Sequence, residues 1–269
     1  MFHPPDARQV SRTPADLSPV PLYRPTTVDE AVAALQESGA AVYAGGTDFF
    51  AAVRQGLAPQ ALVWIAGIAE MKGASVADDV LRIGALSTHD ESVEAPELDA
   101  VPGLARAWAS IATVRIRNQA TLGGNLMARR ERYELSILLT AVGATARMAG
   151  PEGYRDMPVQ DLWQADLTST PLLVSVGVPL RGAPKLDYER SMRPTFTQAL
   201  CRRGESLRLV MATEWLQPWF TDAALGTEPA EMLADLPEDF SDPAVGREHL
   251  VRAGGAFLKR QTARLEAIA

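Results

Sequence analysis

Cysteine occurs once, at Cys201, and histidine three times, at His3, His89 and His249. That is too few for a thiolate-held cluster or a typical zinc site, so any redox metal must belong to a partner. Cys201 reads as a small core residue, because free cysteine is usually buried and no histidine lies near it in sequence. No stretch approaches the ~20 apolar residues of a membrane helix. Residues 1–17 are polar and Pro-rich without the apolar core of a signal peptide, so a cytoplasmic location is expected. Basic residues are outnumbered, 26 Lys and Arg against 33 Asp and Glu, for a net charge of −7. Nonspecific binding of nucleic acid needs a clustered basic surface and is not expected. No G-x-G-x-x-G follows a strand and no G-x-x-x-x-G-K-[ST] occurs, which removes a nicotinamide Rossmann site and a P-loop. Nor is there a fixed-period repeat, so a solenoid or propeller is excluded.

What is present is an ordinary globular composition, 47% hydrophobic and 22% charged, over 269 residues. That length favours two or three compact units. Residues 1–20 hold four prolines and read as an extended arm. A first unit, 21–70, has a strand at Leu22-Tyr23, a helix opened by Thr27 with Val28, Ala31, Val32 and Leu35 on one face, and strands at 41–44 and 61–65. Between those two strands Thr47 is expected to cap a helix ending near Gly56. A second unit, 71–183, carries a strand at 81–85, short helices from Thr88 and over 103–111, a glycine turn at Gly123-Gly124, a helix over 133–142 and strands at 144–148 and 172–178. A third, smaller unit, 184–269, has strands at 196–201 and 207–213 and a terminal helix over 246–268, with 215–243 unassigned. The mixture is α+β.

Two glycine pairs could carry chemistry. Ala44-Gly45-Gly46-Thr47-Asp48 lies between a buried strand and a helix start, where backbone lacking Cβ can approach an anion and the helix terminus offers N–H donors. The Thr47 hydroxyl can cap the helix or touch a phosphate, whereas Asp48, repelled by phosphate, orders the loop. Thr121-Leu122-Gly123-Gly124-Asn125 offers a second glycine pair flanked by hydrogen-bonding side chains. Either alone reads equally as a tight turn or a glycine bulge. Together, far apart in sequence, they suit a long ligand held between two lobes, which favours a dinucleotide. His89 reads as a helix start, because nothing near it completes a catalytic set. Trp215 and Trp219 read as packing.

In order and spacing, Tyr23-Arg24-Pro25, the 44–48 motif, the run from Leu81 to His89, the run from Ile116 to Leu126 and Ser175-Val176-Gly177-Val178-Pro179 resemble the FAD-binding medium subunit of the molybdenum hydroxylases, the carbon monoxide dehydrogenase and xanthine dehydrogenase family. The resemblance is dense from about 22 to 180. It implies a two-lobed FAD-binding domain of the type shared with vanillyl-alcohol oxidase-like flavoproteins, with lobes at 21–70 and 71–183, plus a small C-terminal α+β domain. It implies FAD in this chain, held by Ala44, Gly45, Gly46, Thr47, Asp48, Thr121, Gly123, Gly124 and Asn125, with Val176 contributing. It also implies a molybdenum-cofactor large subunit and a [2Fe-2S] small subunit as partners, with electrons passing through FAD to an external acceptor and no catalytic side chain here. Glu134 stands where the family has a ribose-binding Asp, and Arg190 where a lysine near the flavin is common. Arg129, Arg130 and Arg132 read as solvated or interfacial, with phosphate pairing as the other possibility. The altered segment 126–134 and the short C-terminal unit leave two alternatives open: a structural or assembly subunit with weakened or lost FAD binding, and a stand-alone FAD oxidase.

Overall fold

The computed structural model describes residues 20–36, 40–131, 133–169, 171–191, 196–214, 216–241 and 245–268; the expected arm, but for Val20, and Arg132 and Trp215 lie outside them. Thr27 has extended backbone and its hydroxyl accepts the Glu30 N–H at 3.2 Å, opening helix α1 (Val28–Leu35). Val28, Ala31 and Val32 form its buried stripe, at the spacing that keeps side chains on one helical face. The stripe packs on a parallel sheet of β1 (Leu22–Tyr23), β2 (Ala40–Tyr43) and β3 (Ala61–Trp64), in the order β1-β3-β2. Parallel neighbours need crossovers, and α1 and then α2 (Thr47–Arg54) supply them.

An antiparallel sheet follows, ordered β4-β5-β8-β6-β7, from β4 (Ala74–Ala77), β5 (Val80–Gly84), β6 (Thr145–Gly150), β7 (Gly153–Pro158) and β8 (Leu172–Pro179). Between β5 and β6 the chain winds through α3 (His89–Glu94), α4 (Leu104–Ala109), α5 (Val114–Arg117), α6 (Leu122–Met127) and α7 (Leu135–Ala141). Thr88 opens α3 through a reciprocal capping box with Glu91. Leu104, Ala107, Trp108 and Ile111 are buried, as their spacing requires.

The third sheet is antiparallel, ordered β12-β11-β10-β9, from β9 (Lys185–Arg190), β10 (Phe196–Arg203), β11 (Ser206–Thr213) and β12 (Trp219–Ala224). Helices α8 (Pro229–Met232) and α9 (Arg247–Ala267) complete the described chain. Side chains alternate across a strand, and here both faces are buried. Ala199, Cys201, Val210 and Ala212 face the core shared with the first two sheets, while Phe196, Leu200, Leu209 and Met211 face a second core with Leu250, Leu258 and Leu265 of α9. Burial pushes the Cys201 thiol up to about 11, so it stays protonated and inert. Strands β4, β7, β9 and β12 are absent from the sequence expectation, and β12 with α8 occupies part of the unassigned 215–243 stretch. No helix among the described residues is long and apolar enough to cross a membrane.

Candidate functional site

Between the parallel sheet and the helices after β5 lies a cleft of about 640 Å³, within the range of small-molecule and cofactor sites. Its first wall is the junction of β2 and α2. Gly46 is the N-cap of α2, with φ 79°, a left-handed conformation that favours glycine. Thr47 is therefore the first helical residue and not the cap expected from sequence, which leaves its hydroxyl to face the cleft. Among the described residues, the backbone N–H groups of Gly45, Gly46, Thr47, Asp48 and Phe49 take no intramolecular acceptor. Buried or cleft-lining donors are almost always satisfied, and successive N–H groups at a helix start make an anion cradle.

The second wall corrects another expectation. Gly123 and Gly124 do not form a turn; they lie inside α6, which Thr121 caps by accepting the Gly124 N–H at 3.1 Å. The N–H groups of Leu122 and Gly123 are also committed, to Ser87 O at 3.0 Å and Ala85 O at 2.8 Å. This wall therefore offers an anion no backbone donors from its first turn. What it offers is the bare surface of Gly124 and the side chain of Asn125, whose buried Oδ1 has no hydrogen-bond partner among the described residues. Such an orphaned acceptor suits a ligand hydroxyl or N–H. The two walls are locked together: a Cβ on Gly45 would sit 1.7 Å from the Gln119 carbonyl oxygen, and one on Gly123 would sit 2.9 Å from Ala85.

Ala44, Gly45, Gly46, Thr47, Asp48, Thr121, Gly123, Gly124, Asn125 and Glu134 all line this cleft. Val176 does not. It is wholly buried in β8 beside Ile83 and Ala146, and its alternation places it in the core. Arg190 does not line the cleft either, but its Nη1 stands 3.4 Å from both carboxylate oxygens of Glu134. Tyr188, two residues earlier on β9, donates its hydroxyl to Glu134 Oε1. Burial, reinforced by the Glu134 charge, pushes the Tyr188 phenol far above its usual range, so it remains a donor. Glu134 is thus 8% exposed, with Oε1 held by Tyr188 and Arg190 and Oε2 by the long Arg190 contact alone.

Asp48 lines the same cleft and is held by the segment after α6. Its Oδ1 accepts the Tyr133 hydroxyl at 2.9 Å and Arg130 Nε at 3.2 Å, and Arg129 Nη2 donates to Ala165 O at 3.0 Å. Arg130 and Tyr133 are therefore tied to α2, and Arg129 to the 165 region. Tyr133 and Tyr188 carry no sequence signal for these roles, because their partners lie 85 and 54 residues away. His89 also borders the cleft, but Trp108 Nε1–H donates to its Nδ1 at 2.7 Å. Burial, and then the Arg117 charge, lowers its pKa to about 4, so the imidazole is neutral near pH 7.

The sequence family described as FAD binding domain in molybdopterin dehydrogenase matches residues 16–181. Caffeine dehydrogenase subunit beta of Pseudomonas sp. (strain CBB1) is 29% identical over 171 residues, 58% of this chain and 56% of that protein. Carbon monoxide dehydrogenase medium chain of Hydrogenophaga pseudoflava is 29% identical over 165 residues, 58% of each. The chain thus spans little more than half the length of the curated relatives it matches. A solved carbon monoxide dehydrogenase from Hydrogenophaga pseudoflava, which lacks the Mo-pyranopterin moiety, superimposes with a TM-score of 0.79 at 24% identity, covering 92% of this chain and 97% of that one. At that identity the likeness is one of fold.

Proposed function

From the premise that this chain belongs to the family of FAD-binding domains of molybdopterin dehydrogenases, we propose that it is the flavin-carrying electron-transfer subunit of a multi-subunit molybdenum hydroxylase. The observation that carries the reading is the run of five N–H groups from Gly45 to Phe49, on residues that line the cleft, without an internal acceptor among the described residues. A diphosphate is the part of FAD that such a cradle recognises. Gly124 leaves room for the ligand to lie against α6, and Asn125 Oδ1 accepts a hydroxyl or N–H from it. Glu134, oriented by Tyr188 and Arg190, keeps its second oxygen available to a ribose hydroxyl.

The bound flavin supplies the redox chemistry; the chain binds and orients it. Its own side chains move no proton in this scheme, since His89 is committed to Trp108 and neutral. Among the described residues no group of three or more His, Cys, Asp and Glu is placed to hold a metal. In this reading the molybdenum cofactor and [2Fe-2S] clusters belong to a large and a small partner subunit, from which electrons reach FAD and pass to an external acceptor. The subunit names of the matched relatives fit this division of labour. A purely structural subunit draws no support from the cleft, which persists with Met127, Ala128, Arg130, Tyr133 and Glu134 among its lining residues.

The test is to purify the chain alone and with co-expressed partners, then record flavin absorption and the mass of the released cofactor. One FAD per chain is expected. A correctly assembled complex without FAD would sink the reading.

A further inference from the structure

We infer that Arg130 is a diphosphate-binding residue of the cleft, held ready by Asp48 and Tyr133, and this rests on the reading of the cleft as an FAD site. Arginine and carboxylate usually meet as a two-pronged fork. Here Arg130 touches Asp48 through Nε alone, at 3.2 Å, because the Tyr133 hydroxyl shares the same oxygen, Oδ1, at 2.9 Å. Among the described residues, the two terminal nitrogens of Arg130 meet no carboxylate or carbonyl, and besides Asp48 the guanidinium interacts only with the Tyr133 hydroxyl. The side chain is 36% exposed and lines the same cleft as the unpaired N–H groups of Gly45 to Phe49.

Charge explains why the pairing is useful. Asp48 sits in the first turn of α2, beside the cradle, where its carboxylate opposes an incoming diphosphate. Arg130 neutralises that carboxylate while presenting four further N–H donors, a geometry matched to phosphate oxygens. The second wall cannot supply this charge, since the first-turn N–H groups of α6 are consumed internally. Arg129 and Tyr133, on either side of it in sequence, are themselves fixed, to Ala165 O and to Asp48. A solvated or interfacial arginine would not need a carboxylate and a phenol fixing it at the cradle.

The experiment compares FAD with riboflavin, which lacks the diphosphate, on the full chain freed of flavin. Dissociation constants are measured by flavin fluorescence for wild type, Arg130→Gln and Arg130→Lys, with unfolding curves for each. Arg130→Gln is expected to weaken FAD about tenfold or more while riboflavin binding changes less than twofold. Arg130→Lys, which keeps the charge without the fork, should fall between. FAD affinity of the wild type should weaken with salt, and part of that dependence should vanish in Arg130→Gln. A purely structural strap would lower both ligands together or neither. An unchanged ratio of FAD to riboflavin affinity in both variants overturns the inference. Should Arg130→Gln fail to fold, the Lys variant and the salt dependence of the wild type decide it. A wild-type chain that binds no FAD defeats the proposed function itself, a result distinguishable from failure of Arg130 alone.

Discussion

A methyl group added to Gly45 would lie 1.7 Å from the Gln119 carbonyl oxygen, whereas one added to Gly124 would meet only Thr121 Oγ1, at 3.0 Å. The fold demands the first glycine, whereas it would admit a side chain at the second with little adjustment. Gly124→Ala is therefore expected to keep stability within about 1 kcal/mol of wild type, helix propensity offsetting the tight contact, while weakening FAD at least tenfold. Gly45→Ala should destabilise the chain by several kcal/mol with or without ligand. Thermal unfolding and flavin titration of both variants check this, and a Gly124→Ala chain that binds FAD normally would contradict it. His89 gives a pH signature. Its folded pKa, about 4, lies below its unfolded value of about 6.5. The unfolded chain therefore binds the extra proton, and stability rises with pH across that window. The contribution is complete above about pH 6.5 and is lost as pH falls towards 4, a loss of roughly 3 kcal/mol. Urea unfolding of wild type and His89→Gln between pH 7.5 and 4.5 should converge as pH falls; parallel profiles would refute the assignment.

Strand β9 alternates between two kinds of partner. Tyr188 and Arg190 reach Glu134 at the cleft, while Asp187 and Glu189 reach arginines on α4 and α9: Arg106 and Arg264 meet Asp187 at 2.7 Å and 2.6 Å. Asp187 is 1% exposed but its arginines are 67% and 39% exposed, so its loss leaves cations that can hydrate. Asp187→Asn is expected to cost about 1–3 kcal/mol, less than a fully buried pair, and to loosen α9. Urea unfolding measures this, and a change below about 0.5 kcal/mol would show the network to be idle. Leu186 and Tyr188 alternate with charged residues in β9, but two apolar positions are too short a run to mark a strand, and Asp187 and Glu189 owe their place to distant arginines. The same holds more widely. Helix α1 was legible from the Thr27 cap and its apolar stripe, and β5 and β8 from buried runs. The four strands that escaped, β4, β7, β9 and β12, are the edges of the two larger sheets. An edge strand pairs on one side only and carries polar or charged residues freely, so its pattern blurs. At the site, the residue types in both glycine motifs were readable. That Gly123 and Gly124 are helical was not, since two glycines are poor helix formers and only the Thr121 cap and the Ala85 and Ser87 carbonyls hold them there.

At the scale of the molecule, residues from all three sheets share one apolar core, and the cleft lies against it. Sheets that share a core should lose structure together. Heating is expected to give one cooperative transition, shifted upward by FAD as binding to the native state requires, by about 2.7 kcal/mol at a hundred times the dissociation constant. Scanning calorimetry with and without FAD checks both, and two resolved transitions would argue for independent units. The second core, closed by α9 on the far side of the third sheet, does not touch the cleft-lining glycines. The difference between Gly45 and Gly124 also has a bearing on descent. In a lineage that gave up the flavin but kept the fold, Gly124 would be released to drift while Gly45 stayed fixed against Gln119. Position 124 is thus the place in homologous genes where abandonment of the cofactor would first leave a mark.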